Sequence, residues 1–137
     1  MERTLAIIKP DAVGNEHTGR ILSRIIEEGF RVAGMRLVHL SRRQAERFYA
    51  VHRERPFYND LTTFMSSGPA VVLVLETDNA IARWREVIGA TNPAEAAEGT
   101  IRKLYATDIE KNAVHGSDAT ETARTEVGFF FRESELV

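Results

Sequence analysis

Apolar residues fall into short runs along this chain, and the period of the runs changes from one to the next. Residues 5–8, LAII, form a compact run that reads as a buried strand, ended by Pro10, which cannot donate to a ladder. A turn-like stretch, DAVGNEHTG, follows. Ile21, Leu22, Ile25 and Ile26 then recur at helical spacing, and Gly29 supplies a stop. FRVAGMRLVHL alternates as a strand does, which places Ala33, Met35 and Leu37 on one face. Ser41 is set to cap a short helix carrying Phe48, Tyr49 and His52. RPFYNDLTTFMSSG predicts another helix, with Pro56 at its start and Phe57, Leu61, Phe64 and Met65 along one side.

AVVLVL at residues 70–75 has the length of a buried strand and falls far short of a membrane span. Residues 79–88 predict a helix with Ile81, Val87 and Ile88 turned inward. From 89 to 112 the periodicity weakens, and a stretch that long inside a compact domain is more often functional than idle. AVH predicts a short last strand and SDATETARTEVGFFF a last helix, with Asp118 and Glu121 at capping-box spacing. Leaving aside the inserted helices, the order is βαββαβ, a split-βαβ α+β domain. At 137 residues, without repeats or linkers, the chain suits one domain spanning 1–137.

Composition narrows the function by exclusion. Hydrophobic residues make up 43% and charged residues 28%, with a net charge of -2, so no overall basic field recruits nucleic acid. The absence of cysteine removes disulfides and thiolate chemistry. The start of the chain has no signal-peptide core, so a cytoplasmic enzyme or binding protein is expected, with no membrane partner. Neither a GxxxxGK[ST] loop nor a GxGxxG fingerprint is present. The histidines at 17, 39 and 52 lack metal-ligand spacing with one another, so no protein metal site is expected.

The chemistry concentrates in NAVHGSD, residues 112–118. If Ser117 or Asp118 caps the last helix, His115 sits before a helix N-terminus, where amide groups favour negative charge. Gly116 removes side-chain bulk, so a ligand can approach in line. Glu126, about two turns into that helix, can hold one ring nitrogen and leave the other as a nucleophile. HGSD by itself fits a structural histidine beside a cap at least as well. Lys9 at the end of a strand, Arg85 and Arg102 around the long loop, and Thr91 between them would clamp a polyphosphate if they converged. Taken singly, each reads as a solvated surface group. Phe57 and Leu61, four apart, form either an apolar ledge or ordinary core, and Tyr49 with His52 lines a cleft or lies on the surface.

Taken together, NAVHGSD, TLAIIKPDAV, FYAVHRERPFYNDL, MSSGP, GATNPAEAAEGTIR and the terminal FFFRE resemble the nucleoside diphosphate kinase family across nearly the whole chain. The resemblance implies a ferredoxin-like fold with an antiparallel four-stranded sheet and extra helices. It implies ping-pong transfer of the terminal phosphate of a nucleoside triphosphate to a diphosphate, with His115 phosphorylated on Nδ1, Glu126 holding the other nitrogen and Ser117 steadying Glu126. Lys9, Tyr49, Arg85, Thr91 and Arg102 match residues around the phosphates, with Lys9 and Asn112 also reaching the ribose. Phe57 matches the residue that stacks on the base, with Leu61 and Ile109 nearby, and Gly116 belongs to the same signature. Magnesium would arrive mainly on the nucleotide phosphates. The partners implied are ribo- and deoxyribonucleotides of any base, and further copies of the chain in a homo-oligomer built from dimers. With no long tail after FFFRESELV, a tetramer is expected ahead of a hexamer.

The chain departs from that family's pattern at Glu98, where proline is common, at Trp84, where smaller or polar residues are common, and at Gly128, which interrupts the last helix. An RNA-binding module is the main alternative for such a fold. It wants aromatic residues on the central strands, and LAII and VVLVL have none. A phosphohistidine relay protein of the helical-bundle kind conflicts with the strand at 70–75.

Overall fold

The computed structural model describes residues 1–137. Strands β1 (Glu2–Ile8), β2 (Arg31–Val38), β3 (Ala70–Thr77) and β4 (Val114–Gly116) form one sheet in the order β2-β3-β1-β4, and every neighbouring pair is antiparallel. Between them run helices α1 (Pro10–Gly14), α2 (Thr18–Glu27), α3 (Arg42–Phe48), α4 (Tyr58–Met65), α5 (Ala80–Ile88), α6 (Ile101–Tyr105) and α7 (Thr120–Phe130). The frame is ferredoxin-like, as the βαββαβ order predicts. No helix is long and apolar enough to cross a membrane.

Alternation along β1 and β3 sends side chains into two cores. Ala6, Ile8, Leu73 and Leu75 pack with Ile21 and Ile25 of α2 and with Trp84, Val87 and Ile88 of α5. Leu5, Ile7, Val72 and Val74 face the other way, against Ala45 of α3, Phe64 and Met65 of α4 and Phe130 of α7. Burial on both faces explains why LAII and VVLVL read as continuous apolar runs.

The structure corrects the sequence reading at several points. Ala33, Met35 and Leu37 do not share a face, because a bulge between Val32 and Gly34 shifts the register. Ala33 is fully buried, whereas Met35 is 53% and Leu37 71% exposed. Gly34 lies beneath the folded-back C-terminal segment, where a Cβ would come 2.9 Å from a Leu136 methyl. Helix α1 starts at Pro10, in the first turn where a missing N–H costs nothing, and runs into the stretch read as a turn, DAVGNEHTG. The irregular stretch from 89 to 112 contains α6, whose start is capped by Thr100. Tyr49 and His52 lie past the end of α3, and Ala50–His52 is a separate 3₁₀ turn. Asp118 and Glu121 do not cap α7. The Thr122 hydroxyl accepts from the Ala119 N–H at 2.9 Å instead, and Asp118 is engaged elsewhere.

Gly128 is helical and exposed, and a Cβ there would meet nothing within 4 Å. Gly128→Ala should therefore stabilise the fold by roughly 1 kcal/mol, by restricting the unfolded chain. Denaturant unfolding checks this, and a loss of stability would mean that α7 needs the glycine for packing or bending.

Candidate active site

The chain enters β4 through a tight turn centred on Ala113. Its φ is 73°, and the Val114 N–H donates to the Asn112 carbonyl at 2.8 Å. A non-glycine residue in this region costs about 1–3 kcal/mol, so the surroundings must over-determine it. They do so from α1 and β1. The Ala113 N–H donates to Asp11 Oδ2 at 3.0 Å, and the Ala113 carbonyl accepts from the Lys9 N–H at 2.8 Å. Burial pushes the Asp11 carboxyl above its ordinary range, and the Ala113 amide offsets part of that rise.

His115 is the middle residue of β4, opposite Ile7, with its side chain 17% exposed. Its Nε2 lies 2.9 Å from Glu126 Oε1 on α7. The Ser117 hydroxyl donates to the same oxygen at 2.8 Å, and the Leu5 N–H donates to the Ser117 oxygen at 3.1 Å. An ionised carboxylate only accepts, so Nε2 carries the proton and Nδ1 is left with its lone pair. Spacing offered Glu126 as a partner for His115, and the resemblance added Ser117; the three side chains do meet. Phe48 of α3 sets its ring edge-on to the imidazole at 5.8 Å, which blocks one way for the ring to swing.

The cations converge. Lys9, 7% exposed, donates from Nζ to Asn112 Oδ1 at 2.9 Å. Burial first, and the charge of Arg102 second, lower its pKa to about 8. Arg102 in turn is lowered to about 10, by burial first and Arg85 second. Three guanidinium nitrogens of Arg102 donate to the carbonyls of Asn112, Gly89 and Val114, at 3.3, 2.9 and 2.9 Å. With five N–H donors in all, the side chain keeps about two free. Arg85, Thr91 and Arg102 line one open cavity of about 470 Å³. Arg85 also pairs with Asp118 at 2.7 Å, a contact open to solvent. Like charges gathered this way raise the energy of the empty site and favour an anion.

The Tyr49 hydroxyl is buried and has no hydrogen-bond partner. Burial first, and then the Glu126 charge, push its pKa up. The ring of His52 lies between those of Tyr49 and Phe57, at 6.4 and 5.4 Å. Phe57 is 47% exposed at the start of α4, while Leu61 is part-buried against the core. Ile109, 58% exposed, borders a separate depression with Asn92 and Asp108. Gly116 does not open a path for a ligand. It is buried, and the space its side chain would take belongs to Trp84, whose Cδ1 would lie 2.7 Å from a Cβ there. Sequence spacing marks neither His52 as a partner of Phe57 nor Trp84 as a neighbour of His115, because both contacts join separate elements. No group of three His, Cys, Asp or Glu side chains is arranged to hold a metal ion.

Comparison with known proteins identifies the chemistry. A model of the nucleoside diphosphate kinase family matches residues 2–136. The nucleoside diphosphate kinases of Syntrophotalea carbinolica and Geotalea uraniireducens are 61% and 58% identical, over the full length of this chain and of theirs. The solved Aquifex aeolicus enzyme superposes with a TM-score of 0.98 at 47% identity, covering 99% of both chains. A Halobacterium salinarum nucleoside diphosphate kinase, solved in complex with CDP, gives a TM-score of 0.95 at 36% identity, covering 99% of this chain and 91% of its own. The fold and the full-length identity define a phosphotransferase. The chain belongs to the nucleoside diphosphate kinase family. It transfers the terminal phosphate of a nucleoside triphosphate to a nucleoside diphosphate by a ping-pong route through phosphohistidine.

Lys9 gives a pH test that needs no ligand. Its folded pKa of about 8 lies below the ordinary 10.5, so its ammonium opposes folding while charged. Below pH 8 both states hold the proton and the burial penalty is complete. Between 8 and 10.5 the folded state sheds a proton that the unfolded state keeps, and stability rises with pH. Wild type should therefore gain stability relative to Lys9→Met across that window in urea titrations. A difference independent of pH would show that Lys9 is not a desolvated cation.

Proposed function

We propose that His115 is the histidine that carries the phosphate, within a single catalytic domain spanning 1–137. The observation that carries this reading is the shared acceptor Glu126 Oε1, which holds Nε2–H and leaves Nδ1 as the nucleophile. Nδ1 attacks the terminal phosphorus, the bond to the bridging oxygen breaks, and the diphosphate leaves with that electron pair. A second diphosphate takes the phosphoryl group back by the reverse displacement, which frees Nδ1. Glu126 stabilises the positive charge that develops on the ring, and Ser117 keeps the carboxylate in place.

Phosphoryl transfer depends mainly on alignment and charge neutralisation. Lys9, Arg85 and Arg102 supply positive charge to the phosphates, while the Thr91 hydroxyl and the unpaired Tyr49 hydroxyl donate to their oxygens. Removing one such donor typically costs about 10²–10³ in rate. Magnesium, carried by the nucleotide phosphates, adds to this neutralisation, and a site lined by cations fits a metal that arrives already bound to anions. Lys9 and Asn112 reach the sugar, in ribo and deoxyribo form. Phe57 stacks on the base, with Leu61 and Ile109 as apolar neighbours. Stacking is tolerant of base identity because every base has a π-face, so purine and pyrimidine nucleotides are all substrates. The complex of the Halobacterium salinarum relative with CDP supports a nucleoside diphosphate as acceptor.

We also assign a cytoplasmic location, where these substrates are made and used, and a homo-oligomer built from dimers into a tetramer or hexamer. Strand β2 supports the dimer. It is a sheet edge, and it exposes the side chains of Met35 and Leu37.

The central test mixes protein with ATP and magnesium in the absence of acceptor. The protein should take up an acid-labile, alkali-stable phosphate that leaves on adding any nucleoside diphosphate. His115→Ala should form none. Glu126→Gln should still form phosphoenzyme, with both half-reactions slowed, because the amide accepts a hydrogen bond but carries no charge. Label formation in His115→Ala would refute the assignment. For assembly, Leu37→Glu should lower the mass found by light scattering. An unchanged mass would move the dimer contact away from β2.

A further inference from the structure

We propose that Trp84 is a positioning residue for the nucleophile, holding the main chain of His115 while Glu126 holds its ring. This inference rests on the assignment of His115 made above. The Trp84 side chain is fully buried on α5, and its Nε1–H donates to the His115 carbonyl at 3.0 Å. The Phe30 ring meets the indole edge-on at 5.8 Å, so the indole is itself held in place.

The need for such a brace follows from the size and place of β4. It has three residues and one strand neighbour, β1. A strand this short at a sheet edge frays unless something beyond its ladder braces it. Arg102 takes the carbonyls of Asn112 and Val114, and Trp84 adds a second donor to that of His115, which already faces Ile7 in the ladder. The indole is the side-chain donor that acts on the main chain of the nucleophilic residue.

Gly116 is the complement of this arrangement. A Cβ at 116 would lie 2.7 Å from Trp84 Cδ1 and 3.1 Å from Nε1. The glycine after the histidine therefore admits the indole to hydrogen-bonding range of the preceding carbonyl. In this chain HGSD and Trp84 form one unit, with the ring of His115 oriented from the α7 side of the sheet and its backbone from the α5 side.

The consequence is kinetic. A nucleophile held at one end swings, and a misplacement of about 1 Å costs about 10² in rate. Loss of one neutral hydrogen bond alone is worth about fivefold. Trp84→Phe, and a protein in which benzothiophene replaces the indole of residue 84, both remove the donor; the second keeps the ring shape. Both should form phosphoenzyme on His115 with kcat, normalised to phosphorylatable sites, lowered by between about fivefold and about a hundredfold. Both half-reactions should slow together, while KM for nucleotides stays within about twofold, since the indole does not face the ligand. A purely structural role predicts a lower melting temperature with normal kcat per phosphorylatable site, and that result would overturn the proposal. So would wild-type kcat in the benzothiophene protein, which would assign any Trp84→Phe defect to lost volume. Mapping the wild-type label separates the two levels of inference. Label on a residue other than His115 overturns the nucleophile assignment, and the proposal with it. Label on His115 with unimpaired kcat in both variants overturns the role of Trp84 alone.

Discussion

Everything at this site depends on the pairing of a three-residue strand with the buried strand β1. Ala6, Ile7 and Ile8 set the register of Val114, His115 and Gly116, and the turn at Ala113 sets where that short strand begins. A β1 buried on both faces has little freedom, so it acts as a rigid reference for the histidine. Lys9 continues directly from it, and Ser117 bonds to the Leu5 amide. The cation and the relay hydroxyl are therefore both measured from the same few residues. The imidazole is located by the core of the protein, and flexible loops have little part in it.

The electrostatics work against that rigidity. Lys9 and Arg102 are both buried, and each is made less basic by burial and by a neighbouring cation. An empty site of this kind costs stability, because charged groups have left water without a full set of counter-charges. Arg102 limits the cost by donating to main-chain carbonyls, which ties its guanidinium into the fold and leaves donors for an anion. Arg85, paired at the surface with Asp118, is held loosely enough to be recruited. A triphosphate bound at this cluster, as proposed above, would relieve the repulsion, and part of its binding energy would come from removing an unfavourable state that folding imposes.

Much of the frame was legible in the sequence, because burial on both faces of β1 and β3 leaves continuous apolar runs and α2 and α5 present periodic faces. The bulge in β2 was not legible: one extra residue at Ala33 leaves the alternation plausible while it turns Met35 and Leu37 outward. Helices α1 and α6, of five residues each, are too short to show a period. At the site, spacing put Glu126 within reach of His115 but fitted a structural histidine as well, and only the family resemblance brought in Ser117; the contacts among the three became visible in the fold. The convergence of Lys9, Arg85 and Arg102 was not legible, because it depends on how a strand end, a long helix and a short helix meet in space. The resemblance to a family supplied what spacing could not, and the structure then gave that convergence a physical basis. Trp84 escaped both, since its partner is a main-chain carbonyl that carries no sequence signal.

The strand order also separates two demands on the molecule. β2 and β4 are the opposite edges of the sheet, with β3 and β1 between them. The edge that exposes Met35 and Leu37 is thus the full width of the sheet away from the edge that carries His115. The histidine, its carboxylate, its serine and the converging cations all come from one chain. Association through β2 would bury apolar surface and close an open edge without taking any residue from the site. Assembly can then stabilise the rigid sheet on which β4 depends and leave the open, cation-lined side free to exchange nucleotides. A ping-pong enzyme needs that exchange, because one nucleotide must leave before the next enters the same place.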